Sequence, residues 1–317
     1  MKKQKNGAGG TVPAKKKGRM VKIFKRDFPL WMFVLPGLVI TFIFAYIPLY
    51  GVQIAFRDYN PTLGFMGSPW VGLKYFKRFF DSPYFVTTLR NTFILSIYSL
   101  IAGTPIPILL ALALNSFKHK RYTKVIQTVT YAPNFISVVV MCGMLNLFLS
   151  PSSGFINKII ESLGGEAVNF MANADYWRHI YVWSGIWQTM GWNSIIYFAA
   201  LANVSPDLHE AAIMDGATKL QIIRHIDIPS ILPTAIVLLI LSCGSILSVG
   251  FEKAFLLQNP LNAGVSEIIS TYVYKVGIVN ANQSYSSAIG LFNSAVNAVM
   301  LIIVNKIASK SAGISLY

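Results

Sequence analysis

The sequence predicts an all-α polytopic membrane protein with six transmembrane helices. Apolar side chains make up 54% of the chain and charged ones only 12%, against roughly 25% charged in ordinary soluble domains. Six apolar runs reach the length of about 20 residues that a spanning helix requires: about 30–56, 91–114, 125–149, 180–202, 231–251 and 286–307. No Asp, Glu, Lys or Arg lies well inside any of them.

Residues 1–29 precede the first run and hold ten of the 27 Lys and Arg. Their Gly-containing, apolar-poor composition predicts a disordered basic tail, cytoplasmic and next to lipid. With no clear A-x-A site after the first run, that run reads as an uncleaved anchor. A six-helix transmembrane domain then occupies 30–310. Prolines fall inside the first three runs (Pro36 and Pro48, Pro105 and Pro107, Pro133). They would break soluble helices but are tolerated in membrane ones. The fourth run is rich in Trp and amides, and the sixth places Asn293 and Asn297 one turn apart, a pattern for helix packing. Cys142 and Cys243 lie about 100 residues apart in apolar runs, which suits small buried hydrophobes and no metal site.

The net charge of +15 could mark nucleic acid or membrane topology. With both termini in the cytoplasm, 18 Lys and Arg face inward and nine outward. Acidic residues divide five and seven, giving +13 inside and +2 outside. The basicity is therefore an orientation signal for the cell membrane, and no nucleic-acid partner is expected. The absence of ionisable residues within the runs argues against ion-coupled transport. No metalloprotease motif occurs, since His209-Glu210 is followed by Ala211-Ala212-Ile213, and no phosphate-binding G-x-x-x-x-G-K-[ST] loop is present. ATP-driven transport would need its ATPase on another chain.

The loop at 203–233 separates runs four and five. Ser205 is a suitable N-cap with Pro206 at the first helical position and Asp207 at the positive helix end. Gly216 can stop that helix near Asp215. Thr218 and Gln221 form a capping box that opens a second helix, expected to end near Asp227-Ile228 because Pro229 follows. Its many apolar residues suit docking against a partner rather than a solvated linker.

Glu210-Ala211-Ala212, Asp215-Gly216-Ala217, Ile226, Pro229 and Pro233 resemble the EAA loop of ABC importer permeases, with Ile223 where many relatives carry an aromatic residue. Tyr46-Ile-Pro-Leu-Tyr-Gly51, Phe56-Arg-Asp-Tyr-Asn-Pro61, Trp70-Val-Gly-Leu-Lys-Tyr75 and Asn91-Thr92 narrow the likeness to carbohydrate permeases. Within these, the sequence is similar to the complex-oligosaccharide and alginate importer permeases. The resemblance implies a type I ABC importer transmembrane fold and a heterodimer with a second permease. It also implies two cytoplasmic ATP-binding subunits, which hold the ATP and Mg, and an extracellular solute-binding lipoprotein. No cofactor is expected in this chain.

For ATPase coupling the resemblance points to Glu210, Ala211, Ala212, Asp215, Gly216, Ala217 and Ile223, with Asp215 either capping the turn or touching the partner. Trp192 and Asn193 fall near mid-membrane on the fourth run, and with Gln188 they suit a sugar path, with aromatic faces for ring edges and amides for hydroxyls. Helix packing is the competing role for Asn193, and an interfacial belt for Trp183 and Trp187. The loop at 252–285 either meets the binding protein or caps the path. The function expected is oligosaccharide uptake coupled to a separate ATPase, the alternative being a stand-alone secondary sugar carrier.

Overall fold

The computed structural model describes residues 16–117 and 119–315. The chain forms two compact units, one ending at Gln53 and the other beginning at Ile54.

In the first unit, α1 (Lys16–Thr41) continues through a π turn at Phe42–Tyr46 into a 3-10 segment starting at Ile47. Residues 16–29, expected in the disordered tail, are thus helical, while 1–15 lie outside the described residues. Lys, Arg and Met are good helix formers, and extending an existing helix costs little compared with nucleating one. The π turn sits just before Pro48. There, Ile47 N–H donates to Phe42 O, five residues back. The wider turn moves the backbone that a proline ring would strike in a regular helix.

The second unit begins with α2 (Gly64–Gly67) and α3 (Lys74–Phe80). Ser82 accepts from Tyr84 N–H to cap α4 (Pro83–Gly103), which meets α5 (Pro105–Asn115) at Thr104. Next come α6 (Lys120–Tyr131), α7 (Val138–Phe148), α8 (Phe155–Ser162) and α9 (Ala174–Ala202). The loop helices α10 (Pro206–Met214) and α11 (Lys219–Ile222) lead to α12 (Ile228–Cys243). Three short helices follow, α13 (Phe251–Leu257), α14 (Ala263–Ser266) and α15 (Ile269–Tyr274), before the long α16 (Gln283–Ala312).

Four stretches among the described residues are long and apolar enough to cross a membrane: Leu30–Phe56, Pro83–Asn115, Lys219–Cys243 and Gln283–Ala312. A fifth is a broken pair, Arg121–Phe135 and Val138–Phe148, bent by 94°. The break is local chemistry: Pro133 sits in the 3-10 turn Ala132–Phe135 that follows α6, Ile136 is extended, and Ser137 caps the next helix by accepting from Val140 N–H. The remaining expected span, α9, is long enough with 29 residues but is not among the stretches apolar enough to cross; Gln188 and Asn193 dilute its apolarity.

Helix α9 packs against α4, α5, α6 and α12. Its approach to α6 depends on Gly191, where a Cβ would come within 2.1 Å of Thr130 O. One buried cluster joins Trp177, Tyr181 and Ile186 of α9 to Leu95, Cys142 and Leu257. A second gathers Ala111, Leu112, Tyr197, Leu201 and Ile231. Both cysteines are buried and free. Asn297 accepts from Leu247 N–H at 2.9 Å and donates to Ser248 Oγ at 2.9 Å, the packing role its position predicts.

The 252–285 segment is a packed layer. Asn259 and Asn262 both donate to Met171 O, at 2.9 and 2.8 Å. Asn91 donates to Gly264 O at 2.9 Å and Glu267 O at 3.1 Å, and accepts from Arg178 at 3.1 Å. Trp177 Nε1 donates to Leu257 O at 3.0 Å. Each buried amide thereby satisfies a backbone carbonyl that an irregular segment would leave unpaired.

Candidate functional site

The 203–233 loop follows its local signals closely. Ser205 Oγ accepts from Asp207 N–H, and Pro206 opens α10. At the other end Gly216 adopts φ +78°, a left-handed conformation that glycine enters without a Cβ clash. Gly216 N–H donates to Ile213 O and Ala217 N–H to Ala212 O, at 3.0 and 2.9 Å, the two bonds of a Schellman cap. Thr218 and Gln221 form the reciprocal capping box.

The second helix does not end at Pro229. It runs from Lys219 to Cys243 as one stretch through a π turn at Ile223–Asp227. Ile228 N–H reaches back to Ile223 O, the arrangement also found before Pro48. The wider turn lets the chain take a proline without breaking, which the expectation of a stop at Pro229 did not allow for.

Glu210, Ala211, Asp215 and Gly216 lie on the exposed surface of the loop, with Ala212 and Ala217 half-buried. Leu208, Ile213, Met214 and Leu220 are exposed apolar neighbours. Asp215 is the C-cap residue, its N–H donating to Ala211 O. Ile223 is separate from this surface and packs inward against the cluster of Ala111, Leu112, Tyr197, Leu201 and Ile231. A shallow groove of about 350 Å³ borders the turn, lined by Ala212, Asp215, Gly216, Ala217, Gln221 and Ile222 among others.

The contact that holds this loop together has no signature in the sequence. His209 Nε2 donates to Oδ1 of the buried Asp227 at 2.9 Å, joining α10 to the π turn. The two residues lie 18 positions apart, with no periodicity between them that would pair them.

A cavity of about 570 Å³ lies among α4, α5, α9 and α12, within the range of small-molecule sites. Trp192 and Asn193 line it, as do Thr189, Tyr197 and Ser242. Trp192 also meets Phe135 edge to face, with centroids 6.1 Å apart. Gln188 lies elsewhere. It is buried, and its Nε2 donates to Ile136 O at 2.7 Å, holding the break between α6 and α7. A second cavity of about 320 Å³ shares Ser99, Leu100, Tyr181 and Ser242 with the first and adds Ser96 and Ser245.

Lys253, one of the nine basic residues that the charge count places outward, also lines the larger cavity. It is 8% exposed, and Nζ donates to Tyr181 O at 2.6 Å while lying 4.8 Å from the Tyr181 ring centre. Burial pulls its ammonium down to about 8. The available sequence signal was the Glu252-Lys253 pair between Phe251 and Phe255, in a short helix whose other residues are apolar.

Residues 103–312 match the family model described as binding-protein-dependent transport system inner membrane component. Among curated relatives, protein LplB of Bacillus subtilis is 45% identical over 286 residues, 90% of each chain. The polygalacturonan/rhamnogalacturonan transport system permease protein YteP of the same organism is 42% identical, covering 93% of this chain and 92% of its own. A chain of a crystallised bacterial ABC transporter involved in import of the acidic polysaccharide alginate superposes with TM-score 0.86. It is 39% identical, and the match spans 93% of this chain and 99% of that one. Family membership leaves no place for a stand-alone secondary carrier. The chain belongs to the binding-protein-dependent ABC importer permeases, multi-pass membrane subunits whose ATPase is a separate subunit.

Proposed function

We propose that this permease pairs with a second permease to form the path of an oligosaccharide importer, with the 203–233 loop seated on an ATP-binding subunit. Two such subunits lie in the cytoplasm with both chain termini, and an extracellular solute-binding lipoprotein delivers the sugar. Relatives whose names specify polygalacturonan/rhamnogalacturonan and arabinooligosaccharide transport support the substrate class.

One observation carries the coupling role. The exposed surface of Glu210, Ile213 and Met214 is fixed by a Schellman turn to a helical stretch that continues without interruption to the cavity wall at Leu238, Leu239 and Ser242. Docking buries the apolar residues and sets the Glu210 carboxylate against a basic or amide-rich edge. Closure of the ATPase pair then moves the loop, and α12 moves with it, changing which side of the membrane reaches the cavity. Trp192 and Asn193 meet the sugar there, whereas Gln188 holds the helix break behind them.

The test is uptake and ATP hydrolysis in the complete reconstituted importer. Glu210→Ala and Gly216→Pro are expected to insert normally yet hydrolyse ATP without importing sugar. Proline cannot adopt the φ of +78° at Gly216 and lacks the N–H donated to Ile213 O. Undiminished uptake with normal coupling in both variants overturns the reading.

A further inference from the structure

An ammonium group taken out of water is costly unless a counter-charge or several acceptors replace its hydration. Lys253 is buried at the wall of the larger cavity, yet it forms no ion pair with a carboxylate among the described residues. Of its three N–H donors, one is given to Tyr181 O at 2.6 Å. The Tyr181 ring lies 4.8 Å away and offers only a quadrupole. Tyr181 is itself fixed, its hydroxyl donating to Gly250 O at 3.1 Å. The charge is therefore held in place and incompletely compensated.

The neighbouring backbone leaves room beside it. Gly185 also lines the cavity, and a Cβ there would come 3.0 Å from Lys253 Nζ. The two cavities share Ser99 and Ser242, and the smaller one adds Ser96 and Ser245. Hydroxyls on several sides and one positive charge make a lining for a polyhydroxyl ligand bearing one negative group. Lys253 is the only Lys or Arg lining either cavity among the described residues, and a single ammonium balances a monoanionic carboxylate better than a dianionic phosphate.

We propose that Lys253 binds a carboxylate of the transported sugar, making the cavity selective for acidic, uronate-containing oligosaccharides. This rests on the cavity being the sugar path. Lys253 then acts in specificity, attracting the carboxylate while the serines and Asn193 meet hydroxyls.

The experiment compares uptake of trigalacturonate and its neutral methyl ester by proteoliposomes containing the complete importer and its binding protein. Because the binding protein is the same throughout, a change in the acid-to-ester ratio belongs to the permease. Lys253→Gln is expected to lower trigalacturonate uptake about tenfold, the loss of roughly one charge-assisted hydrogen bond. Ester uptake should stay within about twofold, and Lys253→Arg should retain most of the acid preference. If Lys253→Gln does not insert, Gly185→Ala is measured instead. Its methyl group crowds Nζ without removing the charge, and acid uptake should fall more than ester uptake.

Equal loss of both sugars would make Lys253 a mere anchor of α13 on α9 and overturn the proposal. Wild-type uptake of the ester without the acid would also overturn it, leaving the oligosaccharide importer intact. Uptake of neither sugar, nor of neutral arabinooligosaccharides, would remove the oligosaccharide reading and this proposal together.

Discussion

His209 Nε2 and Asp227 Oδ1 lie 2.9 Å apart, across the fold of the 203–233 loop. Asp227 is buried, so removing its partner strands a carboxylate where water cannot replace the lost donor. His209→Ala is expected to cost about 2–3 kcal/mol, whereas Asp227→Asn retains a hydrogen-bonding group and costs less. Thermal unfolding of the purified protein measures the order, and limited proteolysis near Gly216 reports loosening of the loop. Equal midpoints for wild type and His209→Ala would show that the contact contributes nothing.

Gly191→Ala tests the closest helix approach. The added methyl would meet Thr130 O at 2.1 Å, and a backbone carbonyl cannot swing aside as a flexible side chain can. Separation of α9 from α6 is expected to cost about 1–3 kcal/mol, the usual range for overpacking. A cysteine pair placed across the two helices should crosslink more slowly in the variant.

Asn262 joins two segments distant in sequence, donating to Met171 O and Leu257 O at 2.8 and 3.0 Å. Asn262→Leu keeps the branching of the side chain, with larger methyl groups in place of the amide, and leaves both carbonyls without this donor. Amide hydrogen exchange across 257–268 should rise, while exchange in α16 stays unchanged.

Asp58, Tyr75 and Lys74 give the segment after the first span a defined pH response. The Tyr75 hydroxyl and Lys74 ammonium donate to the Asp58 carboxylate and hold it below 3.8. A depressed folded pKa stabilises above the unfolded value and loses that contribution as pH falls through the folded one. Tyr75 moves the other way, raised to about 12 by burial and then by its bond to Asp58. Its contribution is complete below the unfolded value of 10.0 and disappears as pH rises toward about 12. The stability difference between wild type and Asp58→Asn should therefore be flat from pH 5 to 9 and shrink at both extremes. A difference that changes across neutral pH would contradict this assignment.

Local signals in the sequence were strong where the chemistry is local. Ser205, Gly216 and the Thr218–Gln221 box each act within a few residues, and the loop adopts the geometry they specify. Pro229 misled because a proline forbids a regular α turn but permits a π turn, and the choice depends on what α12 packs against. Ile223 falls where many relatives carry an aromatic residue, and the π turn directs it toward Ala111 and Tyr197 rather than to the exposed surface. Gln188 looked like a sugar ligand because amides suit hydroxyls; only the fold brings Ile136 O to it. Lys253 and the His209–Asp227 contact depend on pairings across 72 and 18 residues, beyond the reach of periodicity.

The unbroken stretch from Lys219 to Cys243 makes the loop and the cavity wall two ends of one bar. At about 1.5 Å per residue its 25 residues extend about 37 Å. A bar of this kind transmits tilt faithfully only if it does not flex, and this one has a weak point of known location. Pro233 lies inside α12 and cannot donate the backbone bond expected at that turn. Stiffening Pro233 to alanine would change the gearing, so a given swing at Gly216 should produce a different displacement at Ser242.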